Sequence, residues 1–453
     1  MRIVIAGCGK VGKTMVGNLV SEGHDILIID NDPEVIEEIT NIYDVMGICG
    51  NCADSDIVRE ADAAAADMYI AVTTSDEVNM LSCFIAKRMG AKNTIARIRA
   101  PEYNDNSLAF MKENLELAMP LNPERLAAHE IFNILKFPSA LKVERFSHSN
   151  MEIVEARITE DSTLNGVKLL DIRTKFKAQV LICCVQRGEE VFIPGGNFVL
   201  RGGDKIGLTA PHAELQKFFK STGLLQRPVR NVMILGGSRV AYYLAQMLLD
   251  IGTAVKIIDS DEKICESLGD DLPRAVVICG DGSEQELLLE EGILAADAFV
   301  ALTGSDETNI LVSMFATMNG VKKVIAKVNR DEITPMAEKL GLDSIFSPRK
   351  IVSDVVLSYA SALQNSKGSN IETLYKIMDD KVEALEFNVR ADAKCIGIPL
   401  KDLCIRKNTL IIGIIRGREA ITPSGSTKIL SGDRVMVISA NKGLRDLSDI
   451  LER

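Results

Sequence analysis

The sequence RIVIAGCGKVG at residues 2–12 joins a short apolar run to a turn that contains Gly7, Gly9 and Gly12. Asp30 closes the next apolar run. A strand, a glycine-rich turn, a helix and a distal acidic residue are typical of a βαβ unit that binds a dinucleotide. In this pattern Gly7 permits the tight turn, Gly9 lets the backbone approach a pyrophosphate, and Gly12 lets the helix pack against the sheet. We predict that Asp30 accepts hydrogen bonds from both ribose hydroxyls, which favours NAD(H) or an adenosine nucleotide.

The same pattern returns 229 residues later as NVMILGGSRVA at residues 231–241, and Asp259 closes the following apolar run. Ser238 stands where the first copy has Gly9, so it places a side chain where backbone would approach the pyrophosphate. Asp259 still offers a ribose partner. The second copy is therefore predicted as a nucleotide site, and weaker binding, another preferred nucleotide and lost binding all stay open as alternatives.

The repeat extends well past the glycine turns, which indicates a duplicated chain. AVTTSDE at residues 71–77 matches ALTGSDE at residues 301–307, and Gly203-Asp204 matches Gly432-Asp433. We predict an α/β fold in which two Rossmann-like, parallel-sheet domains (the A modules) alternate with two small α+β domains (the B modules). The predicted bounds are 1–120 and 230–347 for the A modules, 121–139 and 348–367 for crossover helices, and 140–225 and 368–453 for the B modules.

Polar residues that follow two further strands complete the predicted site. Thr73 and Thr74 follow a strand and would line the nucleoside crevice; the alternative is a helix N-cap of the pattern Thr73-x-x-Asp76. Arg97 ends the next strand and would reach a phosphate, the alternative being an exposed strand-end arginine. The predicted cofactor-binding residues are Gly7, Cys8, Gly9, Lys10, Val11, Gly12, Asp30, Asn51, Cys52, Thr73, Thr74 and Arg97 in the first A module, and Gly236, Gly237, Ser238, Arg239, Val240, Asp259, Asp281, Thr303 and Lys327 in the second.

Composition argues against several classes of protein. The net charge is -11 and Lys/Arg-rich runs are absent, whereas nucleic-acid binding needs a basic face, so no nucleic-acid partner is expected. No apolar stretch reaches the roughly 18 residues that a membrane span needs, and no signal peptide opens the chain. We expect a soluble, cytoplasmic protein.

The ten cysteines and four histidines form no metal-binding or catalytic pattern. Cys49-Gly-Asn-Cys52 has the spacing of a redox pair, but its repeat partner reads Cys279-Gly-Asp-Gly282, so Cys52 replaces a glycine of a nucleotide-site loop. Zinc would need two further ligands, and the sequence has no second C-x-x-C or histidine pair. The B modules contain no Ser/His/Asp set, no acid pair with a base and no Cys–His arrangement. The expectation is a protein that is not an enzyme and has no metal site.

This pattern of modules resembles the TrkA family, the RCK (KTN)-domain regulatory subunits of bacterial and archaeal Trk potassium uptake systems. The A modules resemble RCK N-domains and the B modules resemble RCK C-domains, so the resemblance covers essentially the whole chain. It departs at Asn51-Cys52, where the family often has an Asp-Gly-like pair, and at Ser238. The resemblance is carried by the glycine turn at 7–12, Asp30, TTSDE at 73–77, IARIR at 95–99, and the Gly-x-x-Leu-x-Asp helices that begin at Gly166 and Gly397.

The resemblance implies a peripheral membrane protein on the cytoplasmic side that binds NAD(H) and ATP or ADP. It also implies self-assembly into dimers and tetramers that form a ring, and docking on a TrkH-like potassium channel subunit. A nucleotide that prefers one ring conformation would shift the population by its differential affinity, and no bond needs to be broken.

Three alternatives remain. An NAD-dependent oxidoreductase with two Rossmann modules would need a general acid or base beside the nicotinamide, and the B modules offer none at a suitable position. A redox-sensing transcription factor would need a helix-turn-helix and a basic face, and both are missing. A binding module for an unknown partner is the third.

Overall fold

The computed structural model describes residues 1–100, 103, 105–136, 141–145, 151–222, 229–342, 344–365, 371–378, 381–391, 393–417, 419–441, 443–444 and 446–452. The predicted boundaries at 139/140 and 367/368 lie outside these residues. Among the described residues, no helix combines the length and the apolar character needed to cross a membrane.

The first A module alternates strands and helices, because apolar runs alternate with segments of helical periodicity. The strands are β1 (Arg2–Ala6), β2 (Asp25–Asp30), β3 (Met46–Cys49), β4 (Met68–Ala71), β5 (Asn93–Arg97) and β6 (Met119–Leu121). The helices are α1 (Lys10–Ser21), α2 (Pro33–Ile42), α3 (Ser55–Glu60), α4 (Asp76–Met89), α5 (Asp105–Asn114) and α6 (Pro123–Lys136).

The strands of this module form a parallel sheet in the order β3-β2-β1-β4-β5-β6. Ile3 and Ile5 face one apolar cluster while Val4 and Ala6 face another, as expected for a parallel sheet covered by helices on both faces. The strand order reverses between β1 and β4, and a crevice for ligands opens at the carboxyl ends of strands at such a point. The glycine turn follows β1, and Thr73 follows β4, so both lie at this crevice.

The first B module is an antiparallel sheet with strands in the order β10-β9-β11-β8-β7. Its elements are β7 (Lys142–Arg145), β8 (Met151–Arg157), α7 (Ile172–Phe176), β9 (Leu181–Arg187), β10 (Glu190–Phe192), β11 (Lys205–Pro211) and α8 (His212–Thr222). The Gly-x-x-Leu-x-Asp helix predicted to begin at Gly166 is a 3-10 turn at Leu169–Asp171 that continues into α7, and its counterpart after Gly397 is a 3-10 turn at Leu400–Asp402. The sequence analysis did not predict α8.

The second half repeats this order. Its A module contains β12 (Asn231–Leu235), α9 (Arg239–Asp250), β13 (Ala254–Asp259), α10 (Glu262–Asp271), β14 (Val276–Cys279), α11 (Gln285–Glu290), β15 (Ala298–Ala301), α12 (Asp306–Met318), β16 (Lys323–Lys327), α13 (Thr334–Lys339), β17 (Ile345–Phe346) and α14 (Pro348–Asn365). Its B module contains β18 (Ile371–Ile377), β19 (Val382–Asn388), β20 (Thr409–Arg416), β21 (Glu419–Ile421) and β22 (Arg434–Ser439). The described strands form a parallel sheet, β14-β13-β12-β15-β16-β17, and an antiparallel sheet, β18-β19-β22-β20-β21. The predicted fold class is confirmed.

Each crossover helix packs on the A module of the other half. Ile131 and Leu135 of α6 share a buried cluster with Leu244 of α9, although α9 belongs to the second A module. In the same way α14 packs against α1 of the first A module, and Asn18 Nδ2 donates a hydrogen bond to Ser353 Oγ at 2.8 Å. The helix whose N-terminus forms each predicted phosphate site, α1 or α9, is therefore in contact with the crossover helix of the other half of the chain.

The two B modules share an apolar interface that includes Met151 and Cys184 from the first and Met378 and Met436 from the second. The Glu155 carboxylate lies within this interface and is 2% exposed. It accepts a hydrogen bond from the Met378 amide at 2.9 Å and forms an ion pair with Lys205 at 2.9 Å. Because a buried carboxylate is stable only when paired, the ion pair with Lys205 balances its charge. The hydrogen bond from Met378 is the contact of this carboxylate that joins the two B modules.

Candidate nucleotide site

The carboxylate of Asp30 ties the glycine turn to the end of β2. The Cys8 amide donates to Asp30 Oδ2 at 2.6 Å, and the Asp32 amide donates to Oδ1 at 3.0 Å. The Gly7 amide donates to the Ile29 carbonyl at 2.8 Å, which completes the turn. A carboxylate has about four acceptor positions, so Asp30 keeps acceptor capacity after making both contacts.

The N-terminus of α1 lies open beside this carboxylate. Gly9 is the N-cap residue and provides no side-chain cap, so the first amide N–H groups of the helix have no side-chain acceptor. A Cβ built on Gly9 would meet nothing within 4 Å. Packing within the protein therefore does not require glycine at this position, whereas the approach of a ligand to the backbone would.

Lys10 is exposed at the first position of α1, and Arg239 occupies the same position in α9. A cation at a helix N-terminus is opposed by the helix dipole. An anion bound between the cation and the amide N–H groups would be attracted by both and would offset their mutual repulsion. The arrangement in both A modules is therefore suited to a phosphate group.

The glycine turn of the second A module has the same backbone hydrogen bonds. The Gly237 amide donates to Asp259 Oδ2 at 2.5 Å, and the Asp261 amide donates to Oδ1 at 2.8 Å. The difference is at Ser238, whose hydroxyl accepts a hydrogen bond from the Ala241 amide at 3.4 Å and so caps α9. One of the amides that is open in the first module is satisfied by the protein itself in the second.

Asn79 holds together the ends of β4 and β5. Its Oδ1 accepts hydrogen bonds from the Thr73 amide at 2.7 Å and from the Thr73 hydroxyl at 2.8 Å, while its Nδ2 donates to the Arg97 carbonyl at 3.0 Å. Asn309 makes the same contacts with Thr303 and with the Lys327 carbonyl. The amide therefore sets the backbone positions of the predicted crevice residues in both modules.

Thr73 is not the N-cap of α4, so that alternative is wrong. The hydroxyl of Ser75 accepts the hydrogen bond from the Val78 amide at 3.2 Å and provides the cap. Asp76 is buried and accepts hydrogen bonds from the Arg99 and Ala100 amides, both at 2.8 Å. The Asp76 carboxylate therefore fixes the backbone of the segment that follows β5.

Arg97 is only 8% exposed, so the alternative of an exposed strand-end arginine is also wrong. Its guanidinium donates to the Thr73 carbonyl, while Nε is buried and has no hydrogen-bond partner. Desolvation by burial, reinforced by the nearby Arg99 charge, lowers the pKa of Arg97 to about 10. Lys327 takes the equivalent place in the second module, where its ammonium donates to the Leu302 carbonyl at 3.1 Å and burial lowers its pKa.

The remaining predicted residues differ in where their side chains lie. Cys8, Cys52 and Val240 are buried in the core, so only their backbone atoms are available to a ligand. Asn51 and Asp281 are exposed and accept hydrogen bonds from nearby loop amides, at residues 53 and 283. The two bonds from Ser283, through its amide and its hydroxyl, lower the pKa of Asp281. Among the described residues, no cluster of His, Cys, Asp and Glu is arranged to hold a metal ion.

The glycine turns and the antiparallel modules both match known family models. The model of the TrkA-N domain matches residues 3–110 and 232–348, and the model of the TrkA-C domain matches residues 153–223 and 384–452. The chain belongs to the TrkA family. Both family models match twice, in alternation, as the duplicated sequence pattern predicts.

Curated TrkA relatives align over nearly the full length of the chain. A protein from Archaeoglobus fulgidus named "Trk system potassium uptake protein TrkA homolog" is 34% identical, with 99% of this chain and 100% of the relative covered. The Vibrio alginolyticus "Trk system potassium uptake protein TrkA" is 30% identical, covering 98% and 96% respectively.

Solved structures with RCK domains share the fold of this TrkA family member. The GsuK RCK domain has a TM-score of 0.63 at 16% identity and covers 97% of this chain and 92% of its own. The GsuK channel bound to NAD has a TM-score of 0.63 at 17% identity and covers 97% and 76%. At these identities the comparison supports the fold alone.

The sequence analysis missed Asn79 and Asn309 as members of this TrkA-type crevice. Their signal was present, because each lies six residues after a threonine at the end of a strand and the two match in the repeat. An uncharged amide inside a helix carries no sequence feature that distinguishes it from a solvated surface residue. The structure places it at the contact of two strand ends.

Proposed function

We propose that this chain is the cytosolic, nucleotide-binding regulatory subunit of a Trk-type potassium uptake system. It would control K+ flux through a TrkH-like membrane subunit by a conformational change that depends on NAD(H), ATP or ADP. The observation that carries the proposal is the open N-terminus of α1 beside Asp30, in a chain of the TrkA family.

The residues of the first module fit a nucleotide. The amides at the start of α1 and the Lys10 ammonium would hold phosphate, and the spare acceptor positions of Asp30 would hold ribose hydroxyls. Thr73 and Thr74 would border the second nucleoside, and Arg97 would lie towards a phosphate. The equivalent residues of the second module are Gly236, Gly237, Ser238, Arg239, Asp259, Asp281, Thr303 and Lys327. The nucleotide would supply binding energy that differs between conformations.

The crossover helices offer a route from the site to the rest of the assembly. α1 packs against α14, and α9 packs against α6. A small movement of either phosphate helix would therefore be passed to a helix of the other half. A nucleotide that favours one of two arrangements shifts their populations by its differential affinity. Copies of the chain would form dimers or a tetrameric ring that docks on the cytoplasmic side of the membrane subunit.

Catalysis is not part of the proposal. The described histidines are His24, which directly precedes β2, His129 of α6 and His212 of α8. None of these positions is at the carboxyl edge of a parallel sheet, where an oxidoreductase would need its acid or base.

Asp30→Ala is expected to weaken nucleotide binding by the first module about tenfold or more. The mutation removes both the charged acceptor for ribose and the anchor of the Cys8 amide, and a hydrogen bond to a charged group contributes about 1.5–3 kcal/mol. Nucleotide affinity of the purified chain would be measured by calorimetry. Rubidium uptake would be measured in cells that lack the chain and are complemented with wild type or variant.

Asp25→Ala is the matched control, because Asp25 is an exposed aspartate at the opposite end of the same strand. It should bind nucleotide and support uptake as the wild type does. The proposal requires that wild type restores uptake and that Asp30→Ala changes it. Uptake that is the same with and without the chain would refute the regulatory role, and unchanged affinity in Asp30→Ala would refute the site.

Gly9→Ser is expected to weaken nucleotide binding by at least tenfold while leaving thermal stability unchanged or slightly higher. The new side chain would enter open space, and its hydroxyl would cap α1 as Ser238 caps α9. It would then compete with phosphate for the helix N-terminus. Calorimetric titration with ADP, alongside the reverse change Ser238→Gly in the second module, would measure both effects. Equal affinity in Gly9→Ser and wild type would contradict the phosphate position.

A further inference from the structure

Two cysteines of the second A module lie on adjacent elements beside Asp259. The Cys265 thiol on α10 donates to the Asp259 carbonyl at 3.3 Å and lies 3.7 Å from the Ile278 carbonyl. Cys279 directly follows Ile278 as the last residue of β14 and is paired with Asp259 in the sheet register. The Cys265 sulfur therefore lies against the carbonyl of the residue before Cys279 and against the carbonyl of the strand residue paired with Cys279.

The two thiols differ in their surroundings. Cys279 is exposed, whereas Cys265 is 8% exposed. Burial, together with the hydrogen bond to Cys279, raises the pKa of Cys265 to about 11. The exposed thiol is therefore the one that a dissolved reagent meets first, and the buried thiol is held in place beside it.

The first A module lacks the pair. Cys49 ends β3 as Cys279 ends β14, but Ile36 occupies the position on α2 that Cys265 occupies on α10, four residues after the N-cap aspartate in each helix. The second A module therefore has thiols at both of these positions, whereas the first A module has a thiol at only one of them. This asymmetry provides an internal control for any effect of the pair.

We propose that Cys265 and Cys279 are a peroxide-sensitive dithiol that closes to a disulfide. The Cys279 thiol loses its proton to solvent, and the thiolate attacks one oxygen of hydrogen peroxide. The O–O bond breaks, a sulfenic acid forms, and the departing hydroxide takes up a proton from solvent to give one water. The Cys265 sulfur then attacks the sulfenic sulfur, an S–S bond forms, and the departing hydroxide takes the Cys265 proton as a second water. Two thiols are oxidised by two electrons and one peroxide is reduced to two waters.

The disulfide would join α10 to the end of β14 next to Asp259, which anchors the glycine turn of this module. It would therefore connect the redox state of the pair to the second nucleotide site. This last connection rests on the proposed function: nucleotide bound at Asp259 would cover Cys279 and slow its oxidation.

The test treats the purified full chain with hydrogen peroxide and then blocks remaining thiols with N-ethylmaleimide. Trypsin cuts at Arg274, between the two cysteines, so the disulfide appears as a cross-link between the peptides 264–274 and 275–322 in non-reducing mass spectrometry. We expect this cross-link in wild type, its reversal by dithiothreitol, and its loss in Cys265→Ser and in Cys279→Ser. Cys49→Ser, the matched control, should leave it unchanged.

Peroxide treatment that oxidises Cys279 to sulfinic acid without a cross-link would overturn the proposal. So would recovery of both cysteines as maleimide adducts. A repeat of the treatment in saturating ADP should slow formation of the cross-link at least threefold. A cross-link that forms at the same rate with and without ADP would support the dithiol and contradict nucleotide binding in the second module, so the two ideas fail separately.

Discussion

Asp204→Ala is expected to lower the free energy of unfolding of the first B module by about 2–3 kcal/mol, because it removes hydrogen bonds between charged groups at a buried carboxylate, while the partly exposed Arg187 that remains can be solvated. Asp204 is fully buried and receives two hydrogen bonds of 2.7 Å from the Arg187 guanidinium. It also accepts a hydrogen bond from the Arg201 amide at 2.8 Å. The mutation therefore removes an ion pair and the anchor of a loop together.

The pair recurs in the second B module, where Arg416 makes two hydrogen bonds of 2.9 and 2.8 Å to Asp433. This explains why Arg-Gly and Gly-Asp recur at the same places in both B modules. In each pair the carboxylate raises the pKa of the arginine. Asp433→Ala should destabilise its own module in the same direction.

Urea unfolding and scanning calorimetry would measure the effect of Asp204→Ala. Asp171→Ala is the matched control, since Asp171 is an exposed aspartate of the same module that provides no side-chain cap to α7. Its midpoint should stay close to that of the wild type. A loss below about 1 kcal/mol in Asp204→Ala would show that the buried pair contributes no more than a surface ion pair.

Gly7→Ala is expected to destabilise the first A module by about 3 kcal/mol. Two penalties combine at this residue. The φ angle of Gly7 is 92°, in the left-handed region that side chains rarely adopt, and an added Cβ would lie 2.6 Å from the Thr73 amide nitrogen. The backbone of Thr73 cannot move away easily, because its amide is held by Asn79.

Two other glycines separate these penalties. Gly23 has φ of 77° but open space around an added Cβ, so Gly23→Ala should cost only the strain, about 1–2 kcal/mol. Gly9 has neither a positive φ nor a neighbour, so Gly9→Ala should cost less than about 1 kcal/mol. The midpoints of thermal unfolding should fall in that order. Equal midpoints for Gly7→Ala and Gly23→Ala would show that the contact with Thr73 is relieved by local movement.

The predictions from sequence succeeded where the signal is local. The glycine turn and the aspartate that follows it specify strand, turn and helix, and the duplication made the order of modules readable. The predictions failed where two side chains could make the same hydrogen bond. Thr73 and Ser75 are both able to cap α4, and the choice depends on where Asn79 draws the threonine hydroxyl.

The burial of Arg97 is a second case. Its place at the end of β5 was correct, but the acceptor of its guanidinium, the Thr73 carbonyl, is 24 residues away along the chain. Whether a strand-end side chain is exposed depends on the neighbouring strand and loop. The positions of that strand and that loop cannot be predicted from a single sequence.

The amino-acid sequence by itself determined the duplicated architecture, the two glycine turns with their aspartates, and the amphipathic character of the crossover helices. Tertiary structure alone decided which module each crossover helix covers. The two A modules present similar apolar helices, α1 and α9, so the apolar face of α6 is compatible with either. Burial of an apolar face is not directional, so the pairing of α6 with α9 and of α14 with α1 is visible only in the assembled fold.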